Sequence, residues 1–84
     1  MKTVYKYILN RSGEMQLPKN SKVLTVGMQD TNFCIWAEID KDETLQEHRT
    51  FAVYGTGWEL EDRDHCYIGT VFEGSYVWHI YEVV

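Results

Sequence analysis

Apolar and polar positions alternate with a period of two through most of the chain, and no stretch of helix length carries a 3.6-residue repeat. The pattern is clearest from Lys22 to Asp40. Folded back with Asp30 to Phe33 at the bend, this stretch sets Met28 against Ile35, Val26 against Ala37 and Leu24 against Ile39. All six are apolar and share one face, because successive side chains of a strand point to opposite sides. The other face collects Gln29, Cys34, Thr25, Glu38, Val23 and Asp40, with Gly27 opposite Trp36. A slip of one residue would set Leu24 against Glu38 and mix the faces, so the pattern itself selects the pairing.

The same reading predicts the remaining elements. Thr3 to Leu9 alternates and is rich in strand formers; Asn10-Arg11-Ser12-Gly13 is a turn cluster, and Glu14 to Leu17 returns, making residues 2–17 a hairpin. Pro18-Lys19-Asn20-Ser21 breaks the pattern. Asp40 to Glu47 is polar and reads as an exposed loop with a helical turn at most. His48 to Gly55 is a strand with Phe51 and Val53 inward and Arg49 at its edge. Gly55-Thr56-Gly57 ends it, and Trp58 to Asp64 is an acidic connection. Cys66 to Val83 forms a hairpin about Gly74-Ser75, a two-residue loop with glycine first, as a type II′ turn requires. Counting back from that turn pairs Phe72 with Val77, Val71 with Trp78, Thr70 with His79, Gly69 with Ile80 and Ile68 with Tyr81. The expected architecture is all-β: one domain over 1–84, with about six or seven short antiparallel strands closed as a small barrel or stacked as a two-sheet sandwich.

Composition sharpens the picture in three places. Aromatic residues make up 14% of 84 positions, a way for a short chain to bury much area per residue. The formal charge of −5 and the lack of a Lys/Arg cluster exclude a direct nucleic-acid binder and favour a basic partner. Cys34 and Cys66 are too few for a disulfide framework and do not form a CxxC, so reduced thiols in the cytosol are expected, each a small apolar group within a strand. The N-terminus has no signal-peptide pattern, and no run of 18 apolar residues offers a membrane span.

Candidate chemistry is sparse. Gly55-Thr56-Gly57 lacks the lysine and the spacing of a phosphate loop and fits a tight bend, although its amides beside Trp58 offer a small anion nest. Asp62, Asp64, His65 and Cys66 are metal-binding types without a second ligand pair, so no metal and no other cofactor is expected. No catalytic signature joins Cys34 or Cys66 to His48, His65 or His79, which argues against an enzyme; His79 reads as a packed residue bonding Thr70 across the strands. What remains is the aromatic set Trp36, Tyr54, Trp58, Tyr76 and Trp78. The interface predicted from it comprises Trp58 and Tyr76 near Glu59, Glu61, Asp62 and Glu73.

Across the segments MKTVYKY, LPKNSKVLTV, RTFAVYGTG, CYIGT and HIYE, nearly the whole chain resembles a family of small phage- and prophage-encoded proteins of uncharacterised function. The position after GTG, often histidine in that family, is Trp58 here, so no role of that histidine carries over. The resemblance brings no catalytic residues. It implies an accessory protein acting in the host bacterial cytoplasm.

Together these readings predict a non-enzymatic binding module that docks on a host protein, itself basic, and inhibits a bacterial defence system. The alternative is an oligomeric sponge for a nucleotide signal, with Gly55, Gly57 and Trp58 at the pocket and Arg49, Arg63 and Lys22 on the phosphates. A third reading is a structural phage component. Exposed edge strands favour a homodimer over a monomer.

Overall fold

The computed structural model describes all residues, 1–84. Seven strands run in chain order: β1 (Lys2–Ile8), β2 (Glu14–Pro18), β3 (Lys22–Gln29), β4 (Asn32–Asp40), β5 (Gln46–Gly55), β6 (His65–Glu73) and β7 (Tyr76–Val83). They form a three-stranded sheet, β1-β4-β3, and a four-stranded sheet, β2-β5-β7-β6, with every pair antiparallel. The arrangement is a sandwich of two separate sheets. Leu17, Ile35 and Phe51 meet at its centre, with Tyr7, Met15, Val23, Val26 and Ile68 packed around them. The sheets approach along β3 and β6, where a side chain at Gly69 would come within 3.1 Å of Val26.

Residues 2–17 are not a hairpin: β1 pairs with β4 and β2 with β5, in different sheets. The chain changes sheets between residues 9 and 13. The Leu9 amide donates to Phe33 O at 2.9 Å, on one sheet, while Gly13 O accepts from the Phe51 amide at 2.7 Å, on the other. Asn10 fixes the corner by accepting at Oδ1 from the Ser12 and Gly13 amides, the local bond that makes asparagine a turn residue. Alternation reports which face of a strand is buried, and is silent about which strand lies beside it.

The central hairpin forms with a shorter bend than its pattern predicts. Gln29 pairs with Asn32, so Asp30 and Thr31 alone make the turn, with Asp30 at φ 56°. Val26 therefore faces Ile35, Met28 faces Phe33, and Gly27 faces Cys34 rather than Trp36. A shift of two residues keeps each side chain on its predicted face. A β-bulge between Val23 and Thr25 does not: it turns Val23 into the core and leaves Leu24 43% exposed, the reverse of the expected assignment. A second bulge in β6 pairs Tyr67, not Ile68, with Tyr81, and sends Ile68 toward the core. The other predicted pairs of that hairpin form, about a turn opened by Gly74 at φ 58°.

Residues 41–45 are loop without a helical turn, and β5 begins at Gln46. Beyond Gly55 the chain crosses the outer face of the four-stranded sheet, passing β7 to reach β6. Tyr54 is buried beneath this crossover, its hydroxyl 3.0 Å from His65 Nε2. Of the two cysteines, Cys34 is buried as expected, whereas Cys66 is exposed. No helix is long and apolar enough to cross a membrane.

Candidate functional site

Four connections converge on one end of the sandwich: residues 9–13, the Asp30–Thr31 turn, Thr56–Gly57 after β5, and the Gly74–Ser75 turn. The inward faces of the sheets end there on Phe33 and Trp78, which meet edge to face with centroids 6.1 Å apart. Two further rings join Trp78. Tyr76, two residues back on the same face, stacks on it at 5.9 Å and 19°. Trp58 stands edge-on to it at 5.7 Å and 83°. The Trp78 indole N–H donates to Glu73 Oε1 across the hairpin at 3.0 Å, which sets a carboxylate beside Trp78.

Trp58 reaches this corner because position 55 has no side chain. A Cβ there would lie 2.8 Å from the indole. The bend that brings it back is held by the Trp58 amide, which donates to Gly55 O at 3.1 Å, and by the Thr56 amide, which donates to Val77 O at 3.3 Å. Both amides are engaged within the fold, which holds Gly55-Thr56-Gly57 as a tight bend and leaves the Gly57 amide outside these bonds. Gly57, at φ 88°, points to open solvent.

Between Gly55–Trp58 on one side and Ser75–Trp78 on the other lies a cleft of about 360 Å³. Trp58 and Tyr76 wall it and remain 60% and 64% exposed. A separate, larger hollow of about 950 Å³ is lined by Phe33, Leu9, Arg11 and Val53. One end of the molecule thus presents a run of aromatic and apolar surface, of the kind that marks recognition sites.

The residues predicted for this site divide. Gly55, Gly57, Trp58 and Tyr76 come together, and Glu73 joins them. Glu59 follows Trp58 and is exposed, whereas Glu61 pairs with Arg63 at 3.2 Å, and Asp62 lies farther along the crossover. Arg49 is elsewhere: it sits six residues down β5 from Gly55, about 20 Å at strand rise. There it forms a bidentate pair with Glu82, bonds Ser21 O at 2.8 Å and reaches Glu47 at 3.1 Å. These contacts hold the guanidinium above its already high ordinary pKa, the Glu82 hydrogen bonds contributing most. Lys22 lines the same distant hollow, so the three cations assigned to a nucleotide's phosphates do not converge on Trp58.

Of the predicted aromatic set, Trp36 lies on the outer face of the three-stranded sheet against Gly27, and Tyr54 is in the tyrosine–histidine cluster under the crossover. Phe33 is the member that sequence reasoning missed, because it was placed in the bend. The shorter turn that moves it into β4 was legible only in Asp30's tolerance of left-handed backbone.

The histidines are held by hydroxyls or a carboxylate rather than by a thiol. His79 takes Thr70 Oγ1 at 3.2 Å, as expected, and also Thr56 Oγ1 at 2.8 Å; His48 meets Glu14 at 3.3 Å. No three His, Cys, Asp or Glu side chains converge on a common point.

Neither a curated protein nor a solved structure matches the chain. One family does, over residues 1–84, and its description is "Domain of unknown function (DUF7352)". The chain belongs to the DUF7352 family.

Proposed function

We propose that this protein is a non-enzymatic binding module that docks a partner protein through the aromatic end of its sandwich. The observation that carries this reading is the pairing of two largely exposed rings, Trp58 and Tyr76, against Trp78. Exposed tryptophan and tyrosine beside a cleft supply much contact area at little cost in conformational entropy, which is why they dominate interface energetics. Glu73, which accepts the Trp78 indole but has no cation beside it, and the exposed Glu59 favour a basic partner. The resemblance of its segments to phage and prophage proteins is what supports a host protein as that partner, and a defence component as the target, in the bacterial cytoplasm.

Co-purification of the tagged chain from a bacterial host lysate, beside a Trp58→Ala, Tyr76→Ala double variant, tests this reading. A stoichiometric protein held by the wild type and released by the variant is expected. Capture of nothing, or equal capture by both, overturns it.

The nucleotide sponge is favoured by one observation, the cleft of about 360 Å³ beside Trp58. It predicts a nucleotide-dependent rise in melting temperature, since a ligand that binds only the native state stabilises it. An unchanged melting temperature with each common nucleotide removes that reading.

A further inference from the structure

The aromatic cleft has a chemistry that its exposed rings alone do not specify. Its walls are the π-faces and edges of Trp58, Tyr76 and Trp78, with adjacent centroids 5.7 and 5.9 Å apart. Glu73 lies outside that lining, across the hairpin from Tyr76, where its carboxylate accepts the Trp78 indole N–H through Oε1 only. No cation of the chain neutralises Glu73: the ion pairs lie at the N-terminus, in β1–β4, at Arg49, at His48 and in the crossover. The Trp58 indole N–H donates to no group of the protein, although the other cleft tryptophan is paired. The exposed Tyr76 ring and, across the hairpin from it, a carboxylate with a free oxygen are the two parts of a cation-accepting site.

We infer that the cleft between Trp58 and Tyr76 takes an arginine side chain of the partner protein. The inference rests on the docking reading for its partner and adds the chemistry that the site recognises. A guanidinium is planar and weakly hydrated, so it lies on a ring face while its edge donates to a carboxylate. Here the exposed Tyr76 ring supplies the face and the free Glu73 oxygen supplies the acceptor. Lysine offers a compact, strongly hydrated charge that uses the rings less well. The cleft volume of about 360 Å³ leaves room for the side chain and the backbone on either side of it. The net charge of −5 adds long-range attraction for a basic segment.

The probe is a short glycine–arginine peptide, titrated by tryptophan fluorescence and calorimetry against its lysine and citrulline counterparts. Citrulline keeps the planar shape and loses the charge. Saturable binding of the arginine peptide is expected, at least about tenfold tighter than citrulline and tighter than lysine. Tyr76→Ala should abolish the discrimination, Tyr76→Phe should retain much of it, and Glu73→Gln should weaken binding several-fold. Asp42→Asn, at an exposed carboxylate remote from the cleft, should leave binding unchanged. Equal affinity for citrulline overturns the inference, as does equal weakening by Asp42→Asn and Glu73→Gln, which would mark diffuse charge attraction. A concentration-dependent dimer that Trp58→Ala dissolves also overturns it, by placing a second copy on the cleft. A host protein captured through Trp58 alongside indifference to arginine leaves docking standing and removes the cation. Arginine discrimination without any captured protein does the reverse.

Discussion

The indole of Trp58 occupies the space that a side chain at position 55 would need, 2.8 Å from where its Cβ would stand. Gly55 is buried and Trp58 is exposed, so the ring and not the strand would yield to an added methyl. Gly55→Ala should therefore change stability by only about 1 kcal/mol or less while displacing the indole. Tryptophan emission should shift to the red with little change in the urea midpoint. Gly13→Ala should behave oppositely. Its Cβ would stand 2.0 Å from Phe51 O, backbone against backbone, at φ 75°. A loss of about 3 kcal/mol or more is expected there.

Val23 and Leu24 exchange faces through the bulge in β3, and paired substitutions read this directly. Val23→Gln, which sets a polar group against the core cluster, should cost about 2 kcal/mol. Leu24→Gln should stay within about 0.5 kcal/mol, as surface changes do. Urea denaturation of both variants checks the assignment. A regular hairpin without the bulge requires the opposite ranking.

Arg49 ties β5 to β7 and to the turn before β3. Its side chain and that of Glu82 are 17% and 14% exposed, so removing either leaves a largely desolvated charge behind. Arg49→Ala should cost about 3 kcal/mol. Arg49→Lys, which keeps the charge and loses the fork, should fall between the alanine variant and the wild type. Chemical denaturation resolves the three.

Asp40 is held below the ordinary aspartate value of 3.8, chiefly by the Asp42 amide that donates to it at 3.0 Å and next by the Met1 ammonium. A lowered folded pKa means that the unfolded chain binds the proton first as the solution is acidified. The stabilisation is thus complete above 3.8 and is lost as pH falls through the lower folded value. Asp40→Asn should lower the melting temperature at neutral pH and flatten this acid limb, so that the two profiles converge in strong acid. Carboxyl titration by NMR locates the pKa itself.

How much of this was legible in the sequence differs by element. The all-β class, the Gly74-Ser75 turn and the pairs from Phe72–Val77 to Gly69–Ile80 follow from alternation and turn chemistry, both local signals. The bulges at Leu24 and Ile68 were hidden, since one extra residue changes face assignments without changing composition. The separation of β1 from β2 was hidden for another reason: strand partners are chosen by distant residues, here Phe33 and Phe51, that no local pattern names. At the site, Trp58 and Tyr76 were legible as anchors. Arg49 read as a free cation because its partner Glu82 lies on another strand.

The strand order also sets a timetable. The β3–β4 and β6–β7 hairpins close over two-residue turns, events of about 1–10 μs. Strands β1 and β2 emerge first from the ribosome, yet Thr3 must wait for Ile39 and Leu17 for Glu47. Non-local pairing of this kind places all-β domains in the millisecond-to-second range. During synthesis the first seventeen residues therefore travel without partners, and the aromatic end is finished last, when Trp78 at last arrives beside Gly55.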